Sequence, residues 1–176
     1  MESISVQRRR ELITQTRDQL KLELRDNYQV DQEDLRAWRA GDHSALEASY
    51  GGWRDEVAEM TAAGRTLRRV RVVSEPLSEY QQMSVRFSGA AVEAGEQLRW
   101  LPRRLTSALP LPGNDCFVLD RNIAMFNVLD GDNDRFEIQL CDDEHVVKFC
   151  LEAFEAAWTL AVPHVDFRPE AVSRLQ

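Results

Sequence analysis

Arginine side chains in the middle of the chain carry the clearest chemical signal. Arg69 and Arg71 lie two residues apart on a predicted strand, so their side chains should point to one face of a sheet while that of Arg68 points to the other. Together with Arg99 and Arg103 they could bind an anion or another ligand, because guanidinium groups make paired hydrogen bonds to carboxylates and phosphates. The alternative is that these arginines pair with carboxylates of the same chain.

An acidic loop in the last third of the chain resembles a calcium-binding loop at first sight. Asp130, Asp132 and Asp134 match its first, third and fifth ligand positions. The sixth position requires glycine and is Arg135, and the twelfth requires glutamate and is Cys141. We therefore interpret the loop as a hairpin turn, and we expect its three aspartates to offer a surface to a protein partner.

The histidines and cysteines form no recognisable catalytic or metal site. His145 and Lys148 share one face of a predicted helix, but they follow an acidic run at its start, so a surface position is the favoured interpretation. Cys116, Cys141 and Cys150 show no CxxC spacing and are interpreted as small buried residues in a reducing compartment. No glycine-rich phosphate loop or nucleophile elbow occurs. We predict no catalytic residue, no metal and no cofactor.

Charge is distributed unevenly along the chain. The net charge is −8, and residues 111–176 hold 5 Lys and Arg against 13 Asp and Glu, so the whole acidic excess lies there. Nucleic-acid binding requires a basic face, which only the arginines of the first 110 residues could supply. Direct DNA binding through the arginine-bearing strands is a third hypothesis, but it is not expected, because the net charge is acidic and no helix-turn-helix pattern stands out. No apolar stretch reaches the roughly 18 residues of a membrane span, and the N-terminus lacks the features of a signal peptide. We predict a cytoplasmic protein that does not bind membranes.

The first third of the sequence predicts mainly helices. Apolar spacing indicates a helix over residues 5–20, and the alternating leucines of residues 20–24 fit either a strand or a continuation of that helix. A second helix is predicted over 31–40. Residues 41–52 contain a Gly-Gly pair and are predicted as a loop, and a third helix runs from Trp53 to Gly64.

The remainder predicts a sheet covered by helices. A helix over 77–93 between strands 66–73 and 97–101 indicates a β-α-β crossover with a parallel pair. After a proline-rich connector, three short strands form an antiparallel meander, and a long helix with a broad apolar stripe follows. The predicted meander strands are 115–119, 123–129 and 135–140, and the helix begins at Asp142 or Asp143 and ends at Ala161.

These elements predict one α/β domain with a mixed sheet and packed helices. Within it we expect a helical N-terminal extension over 1–52, a core over 53–163 and a tail over 164–176.

Four segments together resemble an actinobacterial family of small proteins. They read GRTLRRVRVVSEPLSEYQQM, AGEQLRWLPR, LPLPGNDCFVLDRNIAMFNVLD and FEAAWTLAVP, and they fall between Gly64 and Pro163. Members of that family are commonly found beside, or fused to, helix-turn-helix regulators. The family has no assigned catalytic residues, so the resemblance transfers none.

A more distant resemblance is to the phospholipase-D-like fold, which also serves as a non-catalytic sensor in some transcription regulators. Active members need His-x-Lys followed by Asp, whereas the nearest match here, His145-Val146-Val147-Lys148, has one residue too many. The resemblances imply a non-enzymatic regulatory or effector-sensing protein that acts with a DNA-binding partner. The alternative is a phosphodiesterase or nuclease-like hydrolase with an atypical site. The sequence leaves the oligomeric state open, with a dimer among the options.

Overall fold

An eight-stranded mixed sheet runs through the computed structural model, which describes residues 1–169. The strands lie in the order β1-β7-β6-β5-β2-β3-β4-β8. Neighbours β2, β3 and β4 are parallel, and every other pairing is antiparallel. The strands are β1 Glu2–Ser3, β2 Asp18–Glu23, β3 Thr66–Val73, β4 Gln97–Pro102, β5 Asp115–Leu119, β6 Ile123–Leu129, β7 Arg135–Cys141 and β8 Val162–Pro163.

Helices cover both faces of this sheet. The helices are α1 Val6–Gln15, α2 Gln32–Ala40, α3 His43–Ala62, α4 Glu79–Phe87, α5 Gly89–Glu93 and α6 Glu144–Leu160, with short 3-10 turns at Gln29–Asp31 and Arg103–Leu105. The predicted mixed α/β fold is therefore confirmed.

The C-terminal half follows its prediction closely. Strands β5, β6 and β7 form the antiparallel meander, and α6 closes it. Asp143 begins α6 by accepting hydrogen bonds from the backbone N–H groups of His145 and Val146. The apolar stripe of α6, including Phe154 and Ala157, packs on one face of the sheet against residues such as Val70.

Residues 5–24 form a helix and a strand, and the helix is shorter than predicted. Helix α1 ends at Gln15, and β2 pairs in parallel with β3 and antiparallel with β5. Leu20 and Leu22 are 1% and 0% exposed in the core under α6. Hydrogen bonds to two neighbouring strands and burial of both leucines outweigh the helix propensity of the segment.

The predicted loop over 41–52 is wrong, because α3 begins at His43 and runs through both glycines. Asp42 starts the helix by accepting a hydrogen bond from the Ala45 N–H. Two helical glycines cost about 1 kcal/mol each relative to alanine. Burial of Leu46, which is 0% exposed, offsets part of that cost. The predicted helix over 77–93 is also divided, at Ser88, into α4 and α5.

The N-terminal residues contribute directly to the centre of the fold. Strand β2 lies between β5 and β3 in the middle of the sheet, although residues 1–52 were predicted as an extension. At the other end, Phe167 is 5% exposed and stacks on Trp100 of β4. Residues 170–176 of the predicted tail lie outside the described residues. Among residues 1–169, no helix is long and apolar enough to cross a membrane.

Candidate anion-binding site

A cavity of about 370 Å³ lies on the face of the sheet opposite α6. Its floor comes from β2 and β3, which place Lys21 beside Arg69 and Glu23 beside Arg71. Because side chains alternate along a strand, these four charged groups point away from the apolar core under α6. The walls come from α1, α2, α3, α4 and the β6–β7 hairpin. We call this cavity the sheet-face pocket.

One carboxylate holds the cations of the floor together. Glu23 Oε2 lies 2.6 Å from Arg71 Nε, and Glu23 Oε1 lies 3.5 Å from Arg69 Nη1 and also contacts Lys21 Nζ. Arg69 Nε forms a second ion pair at 2.7 Å with Glu96, which in turn accepts a hydrogen bond from Trp53 Nε1 at 2.9 Å. The floor is thus a buried ionic network in which cations outnumber carboxylates.

The other acidic groups of the pocket already accept hydrogen bonds from neighbouring hydroxyls. The Tyr28 hydroxyl donates to Asp115 at 2.6 Å, and the Tyr80 hydroxyl donates to Asp31 at 2.7 Å. Asp115 also accepts the Leu24 backbone N–H at 2.8 Å. Burial is the main reason that the pKa of Asp115 is raised, with a further contribution from the charge of Glu23. These acceptors are satisfied within the protein.

Several donors of the pocket lack an acceptor. Arg71 Nη1, Arg9 Nε and Arg135 Nε are buried and have no hydrogen-bond partner among residues 1–169. Burial and the nearby charge of Arg135 lower the pKa of Arg9 to about 10, so these two like charges face each other. Buried donors are normally paired, and an unpaired one costs about 1–3 kcal/mol. The arrangement is suited to an incoming anion that would accept these bonds.

Lys21 and Glu23 titrate far from their usual ranges. Burial, together with the charges of Arg69 and Arg71, lowers the pKa of Lys21 to about 8. Burial alone would raise the pKa of Glu23, but the charges of Arg71, Lys21 and Arg69 outweigh it and hold that pKa well below its usual range. At neutral pH both side chains therefore remain charged.

We expect the free energy of unfolding to rise as the pH increases from 8 to 10. Over this range folded Lys21 loses its proton, whereas in the unfolded chain it keeps the proton until about pH 10.4. Urea unfolding of the wild type and Lys21→Met at pH 7.5, 8.5 and 9.5 measures the effect. The unfolding free energy of the wild type should increase relative to that of Lys21→Met as the pH rises. A pH-independent difference would contradict the lowered pKa.

The predicted arginine set divides between two regions of the protein. Arg69 and Arg71 line the sheet-face pocket on the predicted common face. Arg99 lies on the opposite face, where Nη1 donates to the Trp158 carbonyl at 2.9 Å and the guanidinium lies 4.2 Å from the centre of the indole ring. Arg103 donates to the Leu24 carbonyl at 2.6 Å beyond the strand ends. The structure therefore does not bring Arg99 and Arg103 to the pocket.

The acidic loop forms a hairpin turn, as predicted. Asp130 Oδ1 accepts the backbone N–H groups of Asp132 and Asp134 at 2.9 and 3.0 Å, and Asn133 adopts a positive φ of 63°. Asp134 also lines the pocket. A role of the three aspartates in partner binding stays a prediction.

The structure agrees with the surface interpretation of His145 and Lys148 and with the interpretation of the three cysteines as buried residues. His145 and Lys148 are exposed on α6, and Cys116, Cys141 and Cys150 are buried free thiols. Residues 1–169 contain no group of three or more His, Cys, Asp or Glu side chains placed to hold a metal ion.

Several pocket residues were not identified from the sequence. A signal for Lys21 and Glu23 was present in the sequence, because they alternate with leucines in a possible strand and so share the face opposite the leucines. The structure places this strand, β2, at the centre of the sheet. Arg9 and Arg135 gave none, because they are far apart in the sequence and meet only when α1 and the β6–β7 hairpin pack together. Tyr28 and Tyr80 likewise come from separate elements and meet at a ring-centre distance of 5.8 Å.

Comparison with known proteins gives the family of the chain. No curated protein matches this sequence. A family model described as "Domain of unknown function (DUF6879)" matches residues 7–169, which include every side chain of the sheet-face pocket. Because the match extends over most of the sequence, this chain belongs to the DUF6879 domain family.

Proposed function

We propose that this protein is a non-enzymatic effector-sensing domain that binds a small anion in the sheet-face pocket. It would act in the cytoplasm with a DNA-binding transcription regulator. The observation that carries the proposal is Arg71, which is 7% exposed, lines the pocket and has a guanidinium nitrogen, Nη1, without an acceptor in residues 1–169. A buried unpaired donor of this kind is stabilised when an anionic ligand supplies the acceptor.

The size and lining of the pocket support ligand binding over a purely structural role. A volume of about 370 Å³ is within the range of about 300–1,000 Å³ that is typical of small-molecule sites. A network with only a structural role would be expected to pair its cations fully, whereas Arg9 and Arg135 form no ion pair with a carboxylate in the described part of the chain.

Charge supports a protein partner. The acidic excess of the chain lies in residues 111–176, and exposed acidic residues occur both at the β6–β7 hairpin and at the start of α6. Such a surface favours association with a basic protein, because complementary charge increases the rate and specificity of encounter. DNA-binding regulators carry basic surfaces, and the resemblance to proteins encoded beside helix-turn-helix regulators points to the same class of partner.

Affinity capture followed by a DNA-binding assay tests this proposal. The tagged full-length chain is used as bait in lysate of its native host, and captured proteins are identified by mass spectrometry. We expect a regulator with a helix-turn-helix domain, and we expect the chain to change the affinity of that regulator for its operator at least threefold in fluorescence anisotropy. A matched bait carrying Asp130→Asn, Asp132→Asn and Asp134→Asn should capture less of it.

Two results would contradict the proposal. One is that no DNA-binding protein is captured, or that the captured regulator binds its operator equally well with and without the chain. The other is turnover of bis(p-nitrophenyl) phosphate by the wild type that disappears in His145→Ala, because this would establish the hydrolase alternative.

A further inference from the structure

Two cations of the sheet-face pocket have no carboxylate partner. Five cations line the pocket, and three of them form ion pairs with the buried carboxylates Glu23 and Glu96. Arg9 and Arg135 form no ion pair with a carboxylate in residues 1–169, so two positive charges of the pocket lack a counter-charge in direct contact. The cations are Arg9, Lys21, Arg69, Arg71 and Arg135.

The remaining acidic groups of the pocket lie nearer to solvent. Asp31 and Asp34 are half-buried on elements that cover the sheet, and Asp134 is exposed on the hairpin. Solvent and salt screen exposed charges more strongly than buried ones. These carboxylates therefore form the more solvent-exposed acidic part of the pocket. A compact dianion fits the interior, whereas an extended polyphosphate would place negative charge beside these carboxylates.

The cations of the pocket come from neighbouring elements. Arg9 and Lys21 both lie over the Phe117 ring, at 5.2 and 5.3 Å from its centre, and Arg135 is close enough to lower the pKa of Arg9. Arg71 approaches from the adjacent strand β3. Neighbouring guanidinium groups along one cavity suit a phosphate, which offers three acceptor oxygens and carries about −1.5 to −2 charges at pH 7.

Aromatic side chains provide the rest of the wall. Tyr28, Tyr50, Trp53 and Tyr80 line the pocket, and the Trp53 ring lies 5.1 Å above the Arg69 guanidinium. Aromatic walls favour a planar ring through stacking and edge contacts. Since about 370 Å³ is near the lower end of the usual range for small-molecule sites, the space suits one small ring system with its phosphate.

We infer that the ligand of the sheet-face pocket is a phosphomonoester carried on a small planar ring. This inference rests on the proposed function, because it specifies the anion that the effector site would bind. The dianionic phosphate would accept hydrogen bonds from the unpaired guanidinium nitrogens of Arg71, Arg9 and Arg135. The ring would lie against the tyrosine and tryptophan side chains.

Isothermal titration calorimetry with two isosteric probes tests the charge requirement. Phenyl phosphate and phenyl sulfate have nearly the same shape, but only the phosphate carries a second negative charge. At pH 7.5 we expect phenyl phosphate to bind the full-length chain at least tenfold more tightly than phenyl sulfate. Between pH 5 and 7 the affinity for phenyl phosphate should rise as its second ionisation, near pH 6, is completed. The affinity for phenyl sulfate should not rise over this range, because its charge is constant and any deprotonation of the pocket carboxyls Asp115 and Asp34 would only weaken anion binding.

Variants locate the binding to the pocket. Arg9→Gln and Arg135→Gln should each weaken the binding of phenyl phosphate at least tenfold. Because each arginine lacks a carboxylate partner, its removal leaves no buried charge unpaired, and unfolding curves should confirm that both variants fold. The matched control is Arg121→Gln, which removes a half-exposed arginine paired with Asp18 outside the pocket and should leave the affinity unchanged.

Three results would overturn the inference. They are equal affinity for phenyl sulfate and phenyl phosphate, unchanged phenyl phosphate binding in both arginine variants, and no heat of binding with phenyl phosphate. Equal affinity would leave an anion-binding pocket, and with it the proposed function, intact. Release of inorganic phosphate from phenyl phosphate would instead contradict the non-enzymatic part of the proposed function while the ligand class stands.

Discussion

Glu23→Gln is expected to lower the free energy of unfolding by about 3–5 kcal/mol, the cost typical of removing one partner from a buried ion pair. Glu23 is 5% exposed and contacts Lys21, Arg69 and Arg71. Glutamine keeps the size of the side chain but removes the charge that compensates these cations. Urea denaturation monitored by circular dichroism at pH 7 measures the change.

A second substitution and a surface control identify the cause. Lys21→Met should restore part of the lost stability in the Glu23→Gln background, because it removes one of the repelling charges, and a double-mutant cycle quantifies the coupling. Glu155→Gln removes a carboxylate that also pairs with an arginine, Arg68, but its side chain is 44% exposed. We expect the control to cost no more than about 1 kcal/mol. Equal costs for Glu23→Gln and Glu155→Gln would show that the buried network does not stabilise the fold.

Phe154→Ala is expected to lower the free energy of unfolding by about 3–5 kcal/mol through loss of core packing. Phe154 is 1% exposed on the face of α6 that covers the sheet. Its ring stacks on Trp158 with 5.7 Å between centres, and the Arg68 guanidinium lies 5.3 Å from the same ring. Alanine would leave a cavity between α6 and the strands and would remove both ring contacts. Urea denaturation gives the value.

The same helix provides a matched control for this substitution. Phe149 is also a phenylalanine of α6, but it is 39% exposed and points away from the main core. We expect Phe149→Ala to cost less than about 1 kcal/mol, because most surface substitutions have small effects. If both substitutions cost the same, the apolar stripe of α6 would not be the contact that joins the helix to the sheet.

Local sequence patterns were sufficient to predict the meander and α6. The turn between β6 and β7 is rich in residue types that tolerate a positive φ, which Asn133 adopts. The aspartate before α6 and the wide apolar stripe are likewise short-range signals. Strand β3 was equally predictable, because apolar residues, three of them valines, are interspersed with arginines over residues 66–73 and Pro76 follows. The two-residue period of a strand also placed Arg69 and Arg71 on one face, as the structure confirms.

The predictions were wrong for two helices whose bounds depend on residues that are distant in the sequence. The end of α1 at Gln15 is set by pairing of β2 with two strands that are remote in the sequence. Helix α3 continues through Gly51 and Gly52, because burial of residues such as Leu46 against other helices offsets the local cost of glycine. In both segments, contacts with distant parts of the chain outweighed local propensity.

The sequence by itself determined the class of fold, the acidic surface of the last third and the common face of Arg69 and Arg71. Only the tertiary structure decided which cations surround one cavity. Arg9, Lys21 and Arg135 belong to α1, β2 and β7, and they converge because β2 lies at the centre of the sheet while α1 and the hairpin pack around it. It also showed that Arg99 lies on the opposite face. The physical reason is that a strand pattern fixes the face of a side chain, whereas strand order and helix packing fix its neighbours.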